Sequence, residues 1–279
     1  MTADELVDNL ATLGIAHEMR ASGMDGLILL LSEYGRVLGI WPHRRAENVL
    51  WVNNGFFQSL RVGAKDDGWN NPGGDRLWLA PAGEFLGEGG IVPPAIDPGK
   101  FVLSSDRGAA CMANRGEAWA QQSGVRVRFR VTRRIRPLDD AALEAAWGPT
   151  WLRRAGCEEE LELELESSCP VQVRLWNITQ VPPGSEIMEG PAGKGRRILC
   201  LEDADSERAR LLVRASSAGD GAPGDGWPWT GRKPAAGAPG ELFLLSPPPG
   251  VKRRLVWKTS TCGFSGRSAA VRRFAFSML

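Results

Sequence analysis

The chain has 279 residues, a formal net charge of +1 and 43% apolar residues, which supports a sizeable core and excludes global disorder. No apolar run is long enough to span a bilayer, and no basic, apolar, small-residue leader opens the chain, so no membrane partner is expected. Five cysteines (Cys111, Cys157, Cys169, Cys200 and Cys262) show no paired short spacing, which argues against a metal site or a redox Cys-x-x-Cys and points to free thiols in the cytoplasm.

Charge is unevenly spread. Residues 251–279 hold seven basic residues and no acidic one, which leaves 27 basic against 33 acidic groups elsewhere. A mildly acidic body is a poor nucleic-acid binder, so no nucleic-acid partner is expected. Eleven tryptophans against one tyrosine suit a β core with large gaps or a carbohydrate surface.

In chain order, Thr2 and Glu5 form a capping box with Leu6, Leu10 and Leu13 at helical spacing, which predicts a helix over 3–12. That lead-in occupies residues 1–26. Apolar runs at 27–31 and 37–41 predict a hairpin, and 49–52 a strand followed by a turn at Asn53-Asn54-Gly55. His43, one of two histidines, falls in the polar turn between these strands.

Residues 69–81 then combine a turn, a carboxylate, a guanidinium and two tryptophans. Asn71-Pro72-Gly73-Gly74 gives the turn, Leu77-Trp78-Leu79 reads as a buried strand, and Asp75 and Arg76 mark the transition. Rings that stack on sugar faces and charged groups that hold hydroxyls fit a sugar-binding rim; local composition alone favours an Asp–Arg pair bracing a turn over a Trp-rich core. Glu84 opens a Gly/Pro-dense stretch, 83–99, expected to be a long surface loop.

A short strand is expected at 101–103. Residues 125–131 alternate Val/Phe with Arg, and 160–166 alternate Glu with Leu, each a period-two strand with one buried face. Side by side, Arg126, Arg128 and Arg130 would face Glu160, Glu162, Glu164 and Glu166. Asp139-Asp140 caps a helix over 141–147. A strand over 171–176 runs on through Asn177, Thr179 and Gln180 to Pro182. Further strands are expected at 197–201, 210–214 and 241–245, with a loop over 215–240 that encloses Trp227-Pro228-Trp229.

The pattern predicts an all-β chain, an antiparallel sandwich over 27–250 with short peripheral helices. Gly35-Arg36-Val37-Leu38-Gly39 with residues 48–53, then residues 73–81, then residues 175–184, together resemble a bacterial branch of the galactose mutarotase-like superfamily, related to the aldose 1-epimerases. The resemblance covers roughly residues 25–250 and implies a β-supersandwich with a concave sugar-binding face. With the chemistry of the residues, it gives Asp75, Arg76, Trp78, Asn177 and Gln180 as saccharide-binding candidates that converge on one concavity; loop position adds His43, and no cofactor and no metal are expected.

Aldose 1-epimerases open and close the sugar ring with a histidine acid and a late glutamate base. Neither matching segment here contains histidine, and arginine is no general acid. Three readings follow: a sugar-binding protein without that chemistry; a divergent epimerase, glycosidase or lyase using carboxylates such as Asp75 and Glu84; and a non-catalytic interaction module. The abrupt basic shift at 251, where the sandwich still needs closing strands, suggests an altered or truncated reading frame with an unpaired sheet edge; the rival is a basic tail for an acidic partner.

Overall fold

The computed structural model describes residues 1–62, 70–87, 92–147, 153–166, 171 and 173–182. Beyond residue 182 it describes the backbone of strands at 186–189, 196–199, 240–245, 257–258 and 267–277. The expected strand at 210–214, the loop at 215–240 and Trp69 lie outside the described residues.

The chain opens on α1 (Ala3–Thr12), where the Glu5 amide donates to the Thr2 hydroxyl at 3.4 Å and the Thr2 amide to the Glu5 carboxylate at 2.8 Å. Two antiparallel sheets follow. Sheet I runs β1 (Glu18–Ser22), β2 (Gly26–Leu31), β3 (Arg36–Trp41), β4 (Asp75–Ala80), β9 (Arg174–Val181) and β12 (Gly240–Leu245). Sheet II runs β13 (Trp257–Lys258), β14 (Arg267–Ser277), β8 (Arg154–Leu165), β7 (Val125–Pro137), β6 (Ala109–Ala120) and β5 (Val102–Asp106). A separate hairpin pairs β10 (Glu186–Glu189) with β11 (Arg196–Leu199). The helices are short: α2 (Asn54–Arg61), α3 (Ala82–Phe85), α4 (Asp140–Trp147) and a 3-10 turn at Ser32–Tyr34 complete the set among the described residues. The mostly antiparallel sandwich matches the sequence pattern, and it takes in β1 and β14, which lie on either side of 27–250.

The core lies between the sheets. Ile28, Leu30, Val37 and Ile40 of sheet I meet Met112, Ile135 and Cys157 of sheet II, and Leu77 and Leu175 meet Phe129 and Leu161. A register shift in the β2–β3 pair skips Leu38 and lets Val37 and Ile40 both reach this layer. Leu38 and Trp41 instead pack with Leu6 and Leu10 of α1 and Phe56 and Phe57 of α2.

Three expected elements are corrected. Asn53-Asn54-Gly55 starts a helix, because Asn53 caps α2 by accepting from the Gly55 amide at 3.0 Å ahead of the buried Phe56-Phe57 pair. Residues 49–52 make one isolated bridge, Val52 to Gly73, because the Asn48 side chain takes the Ile40 amide and the Leu38 carbonyl that a neighbouring strand would use. Residues 92–99 are no surface loop: Val92 and Ile96 are buried in the core, and Asp97 is buried with them. The sequence pattern missed β1 and β6: β1 alternates polar and apolar residues over only five positions, and β6 carries no clean alternation.

The alternating segments of β7 and β8 do lie side by side, with an offset. Arg130 faces Glu164, but Thr132, Arg134 and Arg136 face Glu162, Glu160 and Glu158. Arg126 and Arg128 turn instead to Glu117 of β6, at 3.3 and 3.0 Å, and Arg115 takes Glu166. The connection through α4 sets this register, because β7 runs on to Pro137 before the chain returns at Arg154.

Candidate functional site

The Gly73-Gly74 turn places the site. Both residues have positive φ, +99° and +75°, which favours glycine. A Cβ on Gly74 would fall 2.4 Å from the Val37 carbonyl oxygen, and one on Gly73 would fall 2.3 Å from that of Trp51. The backbone therefore passes tightly against β3 and enters β4 at Asp75, which pairs with Val37 and Thr179. Strand alternation then sends Asp75 and Arg76 to opposite faces of sheet I.

Asp75 faces sheet II. Its carboxylate accepts from the Arg133 guanidinium, from the Thr179 hydroxyl and from Asn177 Nδ2 at 2.8 Å. Arg133 also donates to the Gly35 and Asp75 carbonyls at 2.8 and 3.0 Å, and its Nε lies 2.5 Å from Glu159 Oε1. Arg133 and Glu159 have no exposed surface, and Asp75 retains 4%. Burial works against the Arg133 charge, yet Glu159 and Asp75 hold its pKa above the ordinary value. Burial and the Glu159 charge push the neighbouring Cys157 thiol well up, so it stays protonated and is no nucleophile. Together with Val37, Ile40, Leu50 and Cys157, this cluster lines a small cavity between the sheets, about the size of one water molecule.

Arg76 belongs to a second cluster. Its Nη1 donates to Asn71 Oδ1 at 3.1 Å and to Gln180 Oε1 at 2.5 Å, and Asn71 Nδ2 donates to the same Gln180 oxygen at 3.0 Å. Arg36 clamps Asp97 with two bonds, 2.8 and 2.7 Å, and reaches Asn71 Oδ1 at 2.9 Å. The Trp78 indole N–H donates to Asp97 Oδ2 at 2.9 Å, and the Arg76 guanidinium sits 4.8 Å from the Trp78 ring centroid. Trp78 meets Trp176 edge to face at 5.6 Å, and both rings are half-buried.

The six expected site residues thus divide. Asp75 and Asn177 stand between the sheets; Arg76, Trp78 and Gln180 form the second cluster. His43 joins neither: it sits in the turn after β3, where its carbonyl accepts from the Ala46 amide at 2.9 Å. Glu84 shares no partner with Asp75. Its carboxylate accepts from the Gln122 and Ser123 amides at 3.1 Å and from the Ser123 hydroxyl, bracing the β6–β7 turn.

Sequence reasoning missed Arg133 and Glu159, although parity marks both. Arg133 shares the phase of Val127, Phe129, Val131 and Ile135, and Glu159 that of Cys157, Leu161 and Leu163. A charged residue on the apolar phase of a strand is the signal. Arg36 and Asp97 carried no such mark, because one precedes an unbroken apolar run and the other lies outside regular structure.

No helix among the described residues is long and apolar enough to cross a membrane, and no group of three or more His, Cys, Asp or Glu there could hold a metal ion. Compared with known proteins, the chain matches no family model, no curated protein and no solved structure.

Proposed function

We propose that the chain binds a saccharide on the face of β4 and β9 that carries Arg76, Trp78, Trp176 and Gln180, and that it does so without the acid–base pair of the aldose 1-epimerases. One observation carries the reading: two half-buried indoles meet at 5.6 Å beside a buried cluster of amide and guanidinium groups. Indole faces pack against the C–H face of a sugar, and amide and guanidinium groups orient its hydroxyls. The resemblance to the galactose mutarotase-like superfamily supports a saccharide ligand, and of its strand candidates Arg76, Trp78 and Gln180 lie on this face.

The environment of the titratable groups favours binding over that chemistry. His17 is engaged locally, its Nδ1 2.9 Å from the Ile15 carbonyl, and His43 is remote from the second cluster by partner. Asp75 is enclosed between the sheets by three donors, on the face of sheet I opposite to Arg76.

Calorimetric titration with neutral aldoses, uronic acids and oligosaccharides tests the proposal, with NMR of anomeric exchange on whatever binds. The expected outcome is saturable binding of one class, weakened about tenfold in Trp176→Leu, or about 1.4 kcal/mol, with no acceleration of exchange. Absence of binding across the panel, or unchanged affinity in the variant, overturns the site. Accelerated exchange would transfer the case to an epimerase.

A further inference from the structure

The offset between β7 and β8 leaves the outer face of sheet II rich in arginine at one end. The glutamate row of β8 serves the far half of β7, where Arg134 lies 3.5 Å from Glu160 and from Glu162, and Arg136 lies 2.9 Å from Glu158. The near half carries Arg126, Arg128 and Arg130 on the same face. Strand β6 adds Arg115 directly opposite Arg130, and Trp119 directly opposite Arg126. Glu117 holds both Arg126 and Arg128, and Glu166 holds Arg115. The Arg130 guanidinium makes no ion pair or hydrogen bond among the described residues, although Glu164 stands opposite it in register. Like charges directly opposed on a sheet are destabilising, and Arg115 and Arg130 keep that arrangement. Trp119 is 46% exposed and has no ring contact or hydrogen bond among the described residues.

We propose that this face docks an extended acidic segment of a partner protein, one that carries carboxylates at alternate positions. The arginines of β7 repeat on one face at every second residue, about 6.8 Å apart at about 3.4 Å per residue, and an extended peptide repeats its alternate side chains at the same pitch. The chain holds an instance of this complement, since Arg134 and Arg136 are met by β8, whose glutamates alternate with apolar residues. Arg115, Arg126 and Arg128 are 74%, 71% and 66% exposed, so a partner reaches them without rearrangement of the fold. Arg126 engages Glu117 through Nη1 and Arg128 through Nε, which leaves most of the five N–H donors of each guanidinium for a second carboxylate.

Arginine clusters recognise acidic motifs, and the Trp119 indole at the end of the row gives footing to an apolar residue beside the acidic run. A single-stranded nucleic acid fits less well, because its bases stack on successive aromatic platforms and this face offers one indole among the described residues. The face belongs to sheet II and the saccharide face to sheet I, so this proposal is independent of the saccharide reading.

Fluorescence anisotropy on the full chain tests it, with a labelled peptide in which Glu alternates with Ser after an opening Leu. Saturable binding that weakens as salt rises is expected. A second peptide of the same composition spaces its Glu residues three apart, which sends successive carboxylates to opposite faces. It is expected to bind about threefold or more weakly, since fewer pairs form. Arg130→Ser and Trp119→Ser are each expected to weaken the alternating peptide by about the same factor. Arg45→Ser, the same loss of charge at an exposed turn after β3, is expected to leave its affinity unchanged. Absence of binding, equal affinity for the two spacings, unchanged affinity in either face variant, or an equal loss in Arg45→Ser overturns the proposal. Tighter binding of an oligothymidylate of equal charge overturns it in favour of a nucleic acid. Salt-sensitive self-association that Arg130→Ser abolishes overturns it in favour of a second copy of this chain.

Discussion

Strands β7 and β8 carry arginine–glutamate pairs on both faces, and the two faces differ in kind. Outward, Arg136 meets Glu158 at 2.9 Å and Arg134 lies 3.5 Å from Glu160 and from Glu162, all in contact with water. Inward, Arg133 and Glu159 are sealed from solvent and tied through Asp75 to the other sheet. The residue types are the same and the sequence positions adjacent. Water screens the outer pairs and solvates either partner alone, so each contributes little. No water replaces a lost partner inside, so breaking the inner cluster strands a charge in a medium that cannot solvate it. One step of strand parity separates a solubilising ladder from a structural clamp.

The comparison breaks most directly at Arg133. Arg133→Met should destabilise the fold by about 3–5 kcal/mol, the usual effect of removing one member of a buried ion pair. The loss, measured by urea denaturation, should hold between low and high salt, because the cluster lies beyond the reach of screening ions. A loss below about 1 kcal/mol would put Arg133 on the footing of the outer ladder.

Glu84 sharpens the contrast, since neutral donors rather than arginine hold this carboxylate. The Ser123 hydroxyl and the backbone amides of Ser123 and Gln122 keep its pKa below the usual carboxylate range, against a smaller opposing effect of burial. A lowered folded pKa gives stability that is present above the unfolded value, about 4.3, and is lost as pH falls through the folded one. Glu84→Gln should therefore flatten the pH dependence of stability in that acidic window and leave its shape near neutrality unchanged. A slope identical to that of the unaltered chain would show that the turn does not depend on the ionised form.

The smallest effect is expected on the ladder itself. Arg128 is two-thirds exposed and bonded to Glu117 at 3.0 Å. Arg128→Ala should cost about 0.2–1 kcal/mol, and less in high salt. A larger, salt-insensitive loss would mean that parity does not divide the two sets of pairs.

Much of the scaffold was legible because it is encoded locally. Thr2 and Glu5 announce α1, Asp139 announces α4 by accepting from the Ala142 amide at 2.8 Å, and the alternation in β7 and β8 fixes strand and buried face together. Gly73-Gly74 announced the sharp entry into β4, since few other residues adopt that backbone. The candidate site was legible only in part: Asp75, Arg76, Trp78, Asn177 and Gln180 were picked by chemistry, but the pleat of two neighbouring strands distributes them over two faces of one sheet.

The sequence by itself determined the period of each strong strand, the caps and the glycine turn, because these depend on a residue and its neighbours within one turn or pleat. Tertiary structure alone decided which strands adjoin and in what register, since those contacts join residues 58 positions apart, as in Arg133 and Asp75, or 61 apart, as in Arg36 and Asp97. The physical reason is that a buried charge is tolerated only where a distant partner arrives to compensate it, and no local pattern records that arrival.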